Sequence, residues 1–241
     1  MAAQRATVGC RTANAKLNIS MKRIALVNPN TSAALTTLMV EIARECAPGN
    51  LQIEGLTAPF GAPLITCDAE LAKAADAVHA LAPELARRAD AVIVSAFGDP
   101  GADELARSLR RPVVGIAEAG MRAAAANGRR FAVVTHTGRL VRRMAWRAEE
   151  LGLGTQCVGV LATEGDPAAL MAAPARLESG LLALAKRAVA ELGAEAIVIG
   201  GGPLGRAAIA LRDKVGVPVI KPIPEAVLHV AGVLGLSAAT R

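Results

Sequence analysis

Aromatic residues are scarce in this chain of 241 residues: three Phe, one Trp and no Tyr, 2% in all. Binding of single-stranded nucleic acid depends on stacking bases against aromatic side chains, so this scarcity argues against that function. Cysteine is nearly as sparse. Cys10, Cys46, Cys67 and Cys157 form no CxxC pair and have no His partner at metal-ligand spacing. That speaks against a zinc site or a disulfide framework and fits a reducing, cytoplasmic setting. No uncharged apolar run approaches the ~18 residues of a membrane-spanning helix, so a soluble chain with no membrane partner is expected. Disorder is disfavoured by 53% apolar against 20% charged residues. The length suits one large α/β domain or two small ones with a buried core.

The formal charge of +6 is unevenly placed. Residues 1–20 hold Arg5, Arg11 and Lys16 and no acid, so three of the six charges sit there and about +3 remains for the rest. That is too little to point to a nucleic-acid partner. The stretch has no apolar core long enough for a secretory signal, although its Arg, Ala and Thr content has some likeness to a transit peptide. It reads as a disordered leader or as the product of an upstream start codon, with the fold beginning at Met21.

From there, short apolar runs alternate with Ala-, Leu- and Arg-rich helical stretches, the pattern of βα units around a parallel sheet. The expected strands are Ile24–Val27, Leu51–Leu56, Ala91–Val94, Val113–Ile116, Phe131–Val134, Cys157–Leu161, Ala196–Ile199 and Val217–Ile220. Several are continuous β-branched runs without polar alternation, as expected when helices cover both faces. Leu71–Arg88 and Ala175–Leu192 repeat apolar residues at helical spacing.

The chain also repeats itself. Lys22–Thr31 matches Arg129–Gly138 at an offset of 107, Ala89–Gly98 matches Ala194–Pro203 at 105, and Pro112–Ala119 matches Pro218–Ala226 at 106 to 107. Any one match between apolar strands is weak, but three in the same order at nearly constant offset are not. The fold expected is therefore α/β with two pseudo-symmetric parallel-sheet halves from an internal duplication. Residues 21–117 with 225–241 form the first half and 118–224 the second.

Ligands of parallel sheets bind beyond the carboxyl ends of the strands, and clefts between halves are preferred pockets. The repeat puts matching polar turns on the two sides of such a cleft. Asn28, Asn30, Thr31 and Ser32 face Thr135, His136 and Thr137; Ser95, Ala96, Phe97 and Gly98 face Gly200, Gly201 and Gly202. Small residues there let backbone N–H groups approach a ligand, and the following helix N-termini favour an anion. A small carboxylate, imide or ureide suits this pocket. Taken singly, each of these residues also serves as an ordinary turn former.

These turns resemble the Asp/Glu/hydantoin racemase superfamily, its hydantoin racemase branch in particular. The resemblance rests on Val27-Asn28-Pro29-Asn30-Thr31-Ser32, Phe97-Gly98-Asp99-Pro100-Gly101, Gly115-Ile116-Ala117-Glu118-Ala119 and the Val134–Arg139 turn, and it spans residues 21–241. It implies two pseudo-symmetric α/β domains with the substrate between them, no metal or organic cofactor, and frequent homo-oligomers. It also implies inversion of a carbon next to a carbonyl by two cysteines on opposite faces, because racemisation removes a proton from one face and returns one to the other.

The sequence departs from that pattern at both proton carriers. Ala96 stands where the resemblance places the first cysteine and Gly201 where it places the second, and neither side chain carries a proton. His136, Cys67 and Glu118 are the candidates to replace them. His136 is a base with an ordinary pKa near 6.5, in a strand-end turn. Cys67 lies in a loop able to overhang the cleft; a buried, inert thiol is the alternative. Glu118 and its repeat partner Glu225 fit acid–base chemistry or the capping of the helices they open. Asp99 is open between turn former and ligand contact. Cys46 and Cys157 read as packing, and His79 and His229 lie inside expected helices, away from the strand ends. The pairs Arg87-Arg88, Arg110-Arg111, Arg129-Arg130 and Arg142-Arg143 read as solvated helix ends and loop edges. A racemase-family enzyme acting on a small hydantoin, ureide or amino-acid-like substrate is the leading expectation. A decarboxylase or ring hydrolase on the same scaffold is one alternative, since that chemistry needs oxyanion donors but not two opposed bases. A non-catalytic small-molecule binding protein is the other.

Overall fold

The computed structural model describes residues 21–236; the expected leader, residues 1–20, lies outside them. Strands β1 (Lys22–Asn28), β2 (Leu51–Thr57), β3 (Ala91–Val94) and β4 (Val113–Gly115) form one parallel sheet in the order β2-β1-β3-β4. Strands β5 (Phe131–Thr135), β6 (Cys157–Ala162), β7 (Ala196–Ile199) and β8 (Val219–Ile220) form a second in the order β6-β5-β7-β8. The two orders are the same once the strands of each half are numbered alike, which is the architecture expected from the repeat. The central strands β3, β5 and β7 are buried along their whole length, which is why they read as unbroken β-branched runs.

Helices fill the crossovers: α1 (Ala33–Arg44), α2 (Asp68–Ala80), α3 (Ala82–Arg88), α4 (Ala102–Leu109), α5 (Ile116–Ala124), α6 (Val141–Glu150), α7 (Pro167–Met171), α8 (Pro174–Leu192), α9 (Gly205–Leu211) and α10 (Pro222–Val233). Three details differ from the sequence pattern, the first being β8, which spans Val219–Ile220 where Val217–Ile220 is expected. The helix expected over Leu71–Arg88 is two helices divided at Leu81, with Pro83 in the first turn of α3, where a missing N–H costs nothing. Ile116, expected to close β4, instead opens α5, because the carboxylate of Asp99 caps the helix there (below).

On one face of the first sheet, Ile24, Leu26, Ile53 and Ile93 pack with Met39 and Ile42 of α1 and with Ile223, Val227 and Val230 of α10. The other face packs on α2, α3 and α4 through Val78, Leu85 and Leu105. In the second sheet, Phe131, Val133 and Val198 pack with Ala117, Met121 and Ala124 of α5 and Met144 of α6. Its other face is covered by Leu181, Ala185 and Ala188 of α8 and Ala208 and Leu211 of α9. So α5, which follows the first sheet, packs on the second, while α10, which follows the second, returns to the first. Among the described residues no helix is long and apolar enough to cross a membrane.

Candidate active site

The carboxyl ends of β1, β3, β5 and β7 converge on one cleft of about 50 Å³, well below the ~300–1,000 Å³ of pockets for drug-sized ligands. Its polar lining comes from Asn30, Ser95, His136 and Thr137, with the glycine turn 200–202. Leu64, Ile65, Phe97, Leu140 and Met144 line it with apolar surface, beside Ala96 and Pro203. None of these lining residues is charged.

Matching hydrogen bonds build the two polar turns. Buried Asn28 donates through Nδ2 to Asn30 Oδ1 (2.8 Å), the Ser32 carbonyl (3.1 Å) and Thr36 Oγ1 (3.0 Å), and its Oδ1 accepts from the Asn30 N–H (3.2 Å). Asn30 Oδ1 also accepts from the Ser32 N–H at 2.9 Å, which fixes the amide orientation and turns its Nδ2 away from these partners. Ser32 then caps α1 by accepting from the Leu35 N–H at 3.3 Å. In the second half, Thr135 Oγ1 donates to the Gly200 carbonyl (2.7 Å), lies 3.0 Å from Thr137 Oγ1 and accepts from the Thr137 N–H (3.3 Å). Each turn is thus held by its first residue gripping the residue two positions on. Asn28, Ser32 and Thr135 do not line the cleft; Asn30 and Thr137 do. Thr31 also stays off the lining, and its N–H donates to the Ala62 carbonyl at 3.0 Å, holding the loop that carries Leu64 and Ile65 over the site.

His136 occupies the repeat position of Pro29. It is 3% exposed, and neither Nδ1 nor Nε2 has a hydrogen-bond partner. Burial alone lowers its pKa to about 4, so the ring is neutral at pH 7. Buried polar groups in native proteins are nearly always paired, so two orphaned ring nitrogens on a cleft wall mark a place where a ligand or water completes the bonding.

Ala96 and Gly201 both line the cleft. Gly200 and Gly202 are glycines for packing reasons: a Cβ on Gly200 would lie 2.8 Å from Val133 Cγ1, and one on Gly202 would lie 2.5 Å from Met39 Sδ. Gly201 has φ 169 and ψ 132, an extended conformation open to any residue, and a Cβ there would lie 3.0 Å from Leu204.

The other candidates lie away from the cleft lining. Cys67 is the half-buried residue before α2, where Thr66 donates from N and Oγ1 to Glu70 Oε2 (2.6 and 2.9 Å). Glu118, in the first turn of α5, accepts from Arg122 Nε at 2.8 Å and lies 4.0 Å from Arg147 Nη2. Gly98 is a turn residue with φ +113. Glu225 sits in the first turn of α10, where burial raises its pKa against the pull of Lys221.

Asp99 carries the structural reason for the Phe97–Gly101 and Gly115–Ala119 segments. Its backbone is left-handed (φ 51), and its buried carboxylate accepts from the N–H groups of Ala117 (2.7 Å) and Glu118 (2.8 Å) at the start of α5. A Cβ on Gly115 would fall inside that carboxylate, so glycine is required there. The same carboxylate accepts from Arg147 Nε at 3.1 Å, while Arg147 Nη1 and Nη2 donate to Asp103 at 2.8 and 3.2 Å. Burial pushes Asp99 up to about 6 against the opposing pull of Arg147 and the two N–H groups. The partner carboxylates raise the guanidinium further above its already high range, against the opposing effect of its own burial. The sequence pattern holds no sign of Arg147, which is 48 and 44 residues from Asp99 and Asp103.

The sequence profile of the Asp/Glu/hydantoin racemase family matches residues 24–230. A hydantoin racemase of Paenarthrobacter aurescens is 33% identical over 220 residues, covering 87% of this chain and 89% of that protein. The crystal structure of allantoin racemase from Pseudomonas fluorescens superposes with a TM-score of 0.84 at 33% identity, covering 90% of this chain and 93% of that one. Allantoin racemase from Klebsiella pneumoniae gives 0.82 at 30% identity, with 90% of each chain covered. By this match and these relatives, the chain belongs to the Asp/Glu/hydantoin racemase family and is a racemase-family enzyme.

Proposed function

We propose that the protein moves a proton at a carbon next to the carbonyl of a small hydantoin- or ureide-type molecule held between the two sheets, with His136 as proton carrier. The observation that carries this reading is the imidazole: buried on the cleft wall, both nitrogens unpartnered, with no charged side chain in the lining. As a neutral ring it has one nitrogen to accept a proton and one that already holds one. The C–H bond breaks toward the free nitrogen, and its electron pair moves onto the carbonyl oxygen. Backbone N–H groups of the 95–97 and 200–202 turns, which line the cleft with His136, suit that developing charge. With a pKa of about 4, this base is weak beside a thiol of ~8.5, so slow turnover is expected. Ala96 and Gly201 carry no proton, so return to the opposite face falls to a water molecule, and the hydroxide it leaves takes up the proton held by His136, restoring the neutral ring.

The same two substitutions support a second reading: decarboxylation, ring hydrolysis or simple binding, none of which needs opposed proton carriers. Proton NMR in D2O with enantiopure 5-substituted hydantoins, read beside optical rotation, separates them. We expect exchange at C5 that disappears in His136→Ala. Exchange with loss of rotation means racemisation, and exchange with retained rotation means a base working on one face. Exchange unchanged in His136→Ala removes His136 from the mechanism, and binding without exchange moves the second reading to the front.

A further inference from the structure

Arg147 stands in the middle of a charge cluster that joins the two halves. It lies on α6, 4% exposed, and reaches Asp99 on the loop after β3, Asp103 on α4, Glu118 on α5 and Glu150 on its own helix. Arg143, which reaches Glu150 at 3.6 Å and stacks over Trp146, stands beside it, and Asp68, Glu104, Arg139 and Arg142 line the same outer pocket. What it joins is the cleft itself. Asp99 is two residues beyond Phe97, and Arg147 is one helical turn beyond Met144. Phe97, Leu140, Met144 and Ile65 belong to one apolar cluster, and all four line the cleft beside His136. A guanidinium holding two carboxylates through three donors fixes distance and angle together.

We propose that Arg147 is a positioning residue: through Asp99 and Asp103 it clamps α6 of the second half onto the 95–101 loop of the first and holds the apolar wall of the cleft packed against His136, which limits the water that reaches the imidazole. No charged side chain faces the imidazole within the cleft, and desolvation alone sets its low pKa. Water admitted through a loosened clamp therefore moves the His136 titration back toward the ordinary range near 6.5. The inference concerns the site on which the proposed function rests, but its test needs no turnover.

The test is a titration of the histidine side chains by NMR in the full chain, comparing wild type with Arg147→Lys, Arg147→Met and Asp103→Asn. His79 and His229, exposed on α2 and α10, serve as internal controls. Arg147→Met is expected to raise the His136 midpoint by at least one pH unit, and Arg147→Lys, which keeps the charge but not the fork, by less. Asp103 is 53% exposed, so Asp103→Asn loosens only the outer arm and gives a smaller upward shift in a chain that stays folded. If Arg147→Met does not fold, the other two variants decide. A His136 midpoint unchanged in Arg147→Lys and Asp103→Asn, with far-UV circular dichroism intact, overturns the proposal. Absence of proton exchange in the wild type would count against the proposed function and leave this result standing.

Discussion

Replacing Gly115 by Ala adds one methyl group, and the structure fixes the sign of its effect. The backbone there has φ −87 and ψ 151, which alanine adopts freely, so backbone entropy alone would stabilise the variant by about 0.4–1 kcal/mol. The methyl group, however, would occupy the space of the Asp99 carboxylate. Asp99 is buried and has nowhere to yield without releasing the N–H groups of Ala117 and Glu118 or the guanidinium of Arg147. Losing a helix cap costs about 1 kcal/mol, and breaking a buried ion pair on one side about 3–5 kcal/mol. We expect Gly115→Ala to lose about 3–5 kcal/mol in equilibrium urea unfolding, with a fall in Tm of roughly 10 °C for a chain of this size. An unchanged or higher Tm would refute the reasoning, because it would mean that the carboxylate is not pinned by the contacts described.

Gly232→Ala is the opposite case: it lies in α10 with open space around it, and a gain of up to about 0.5–1 kcal/mol is expected in the same assay. Two buried groups pull stability in opposite directions with pH. Asp99 titrates near 6 in the fold, above its ordinary 3.8, so its contribution is complete below that ordinary value and is lost as pH rises through 6. His136 titrates near 4, below its ordinary 6.5, so its contribution is present above 6.5 and is lost as pH falls toward 4. The two offset in the wild type. Acidifying His136→Gln from pH 7 to 5 should therefore raise its unfolding free energy; a fall would contradict the assignment. Ala96→Cys with Gly201→Cys should speed racemisation of 5-substituted hydantoins at least tenfold by polarimetry, Leu204 giving by a few tenths of an ångström to admit the second side chain. No gain would mean that the two positions do not flank the reacting carbon.

Periodicity revealed the scaffold because the physics of a doubly covered parallel sheet is written locally: β3, β5 and β7 are buried on both faces and so appear as Ala-Val-Ile-Val, Phe-Ala-Val-Val and Ala-Ile-Val-Ile. The turns after β1, β3, β5 and β7 were legible for the same reason, since strand ends are fixed once strands are. The apolar wall of Leu64, Ile65, Leu140 and Met144 was not, because a leucine in a loop or a methionine in a helix carries no sign of which space it faces. Cys67 and Glu118 are reactive side chains by type, yet the start of α2 and the Arg122–Arg147 side of α5 hold them off the cleft lining. Arg147 lay hidden among many surface-type arginines. Only the tertiary meeting of α6 with the Asp99 loop makes it the buried one.

The exchange of α5 and α10 between the sheets bears on how the chain can be made. While β1 through β4 are already synthesised, the face formed by Ile24, Leu26, Ile53 and Ile93 still lacks Ile223, Val227 and Val230, which emerge about a hundred residues later. Only α1 covers that side of the first sheet through most of translation, and its core closes only when the second half has folded far enough to deliver α10. Domain-by-domain folding, the usual route for chains of two similar units, is therefore denied to this one: a fragment ending near residue 115 should expose an apolar sheet face and aggregate.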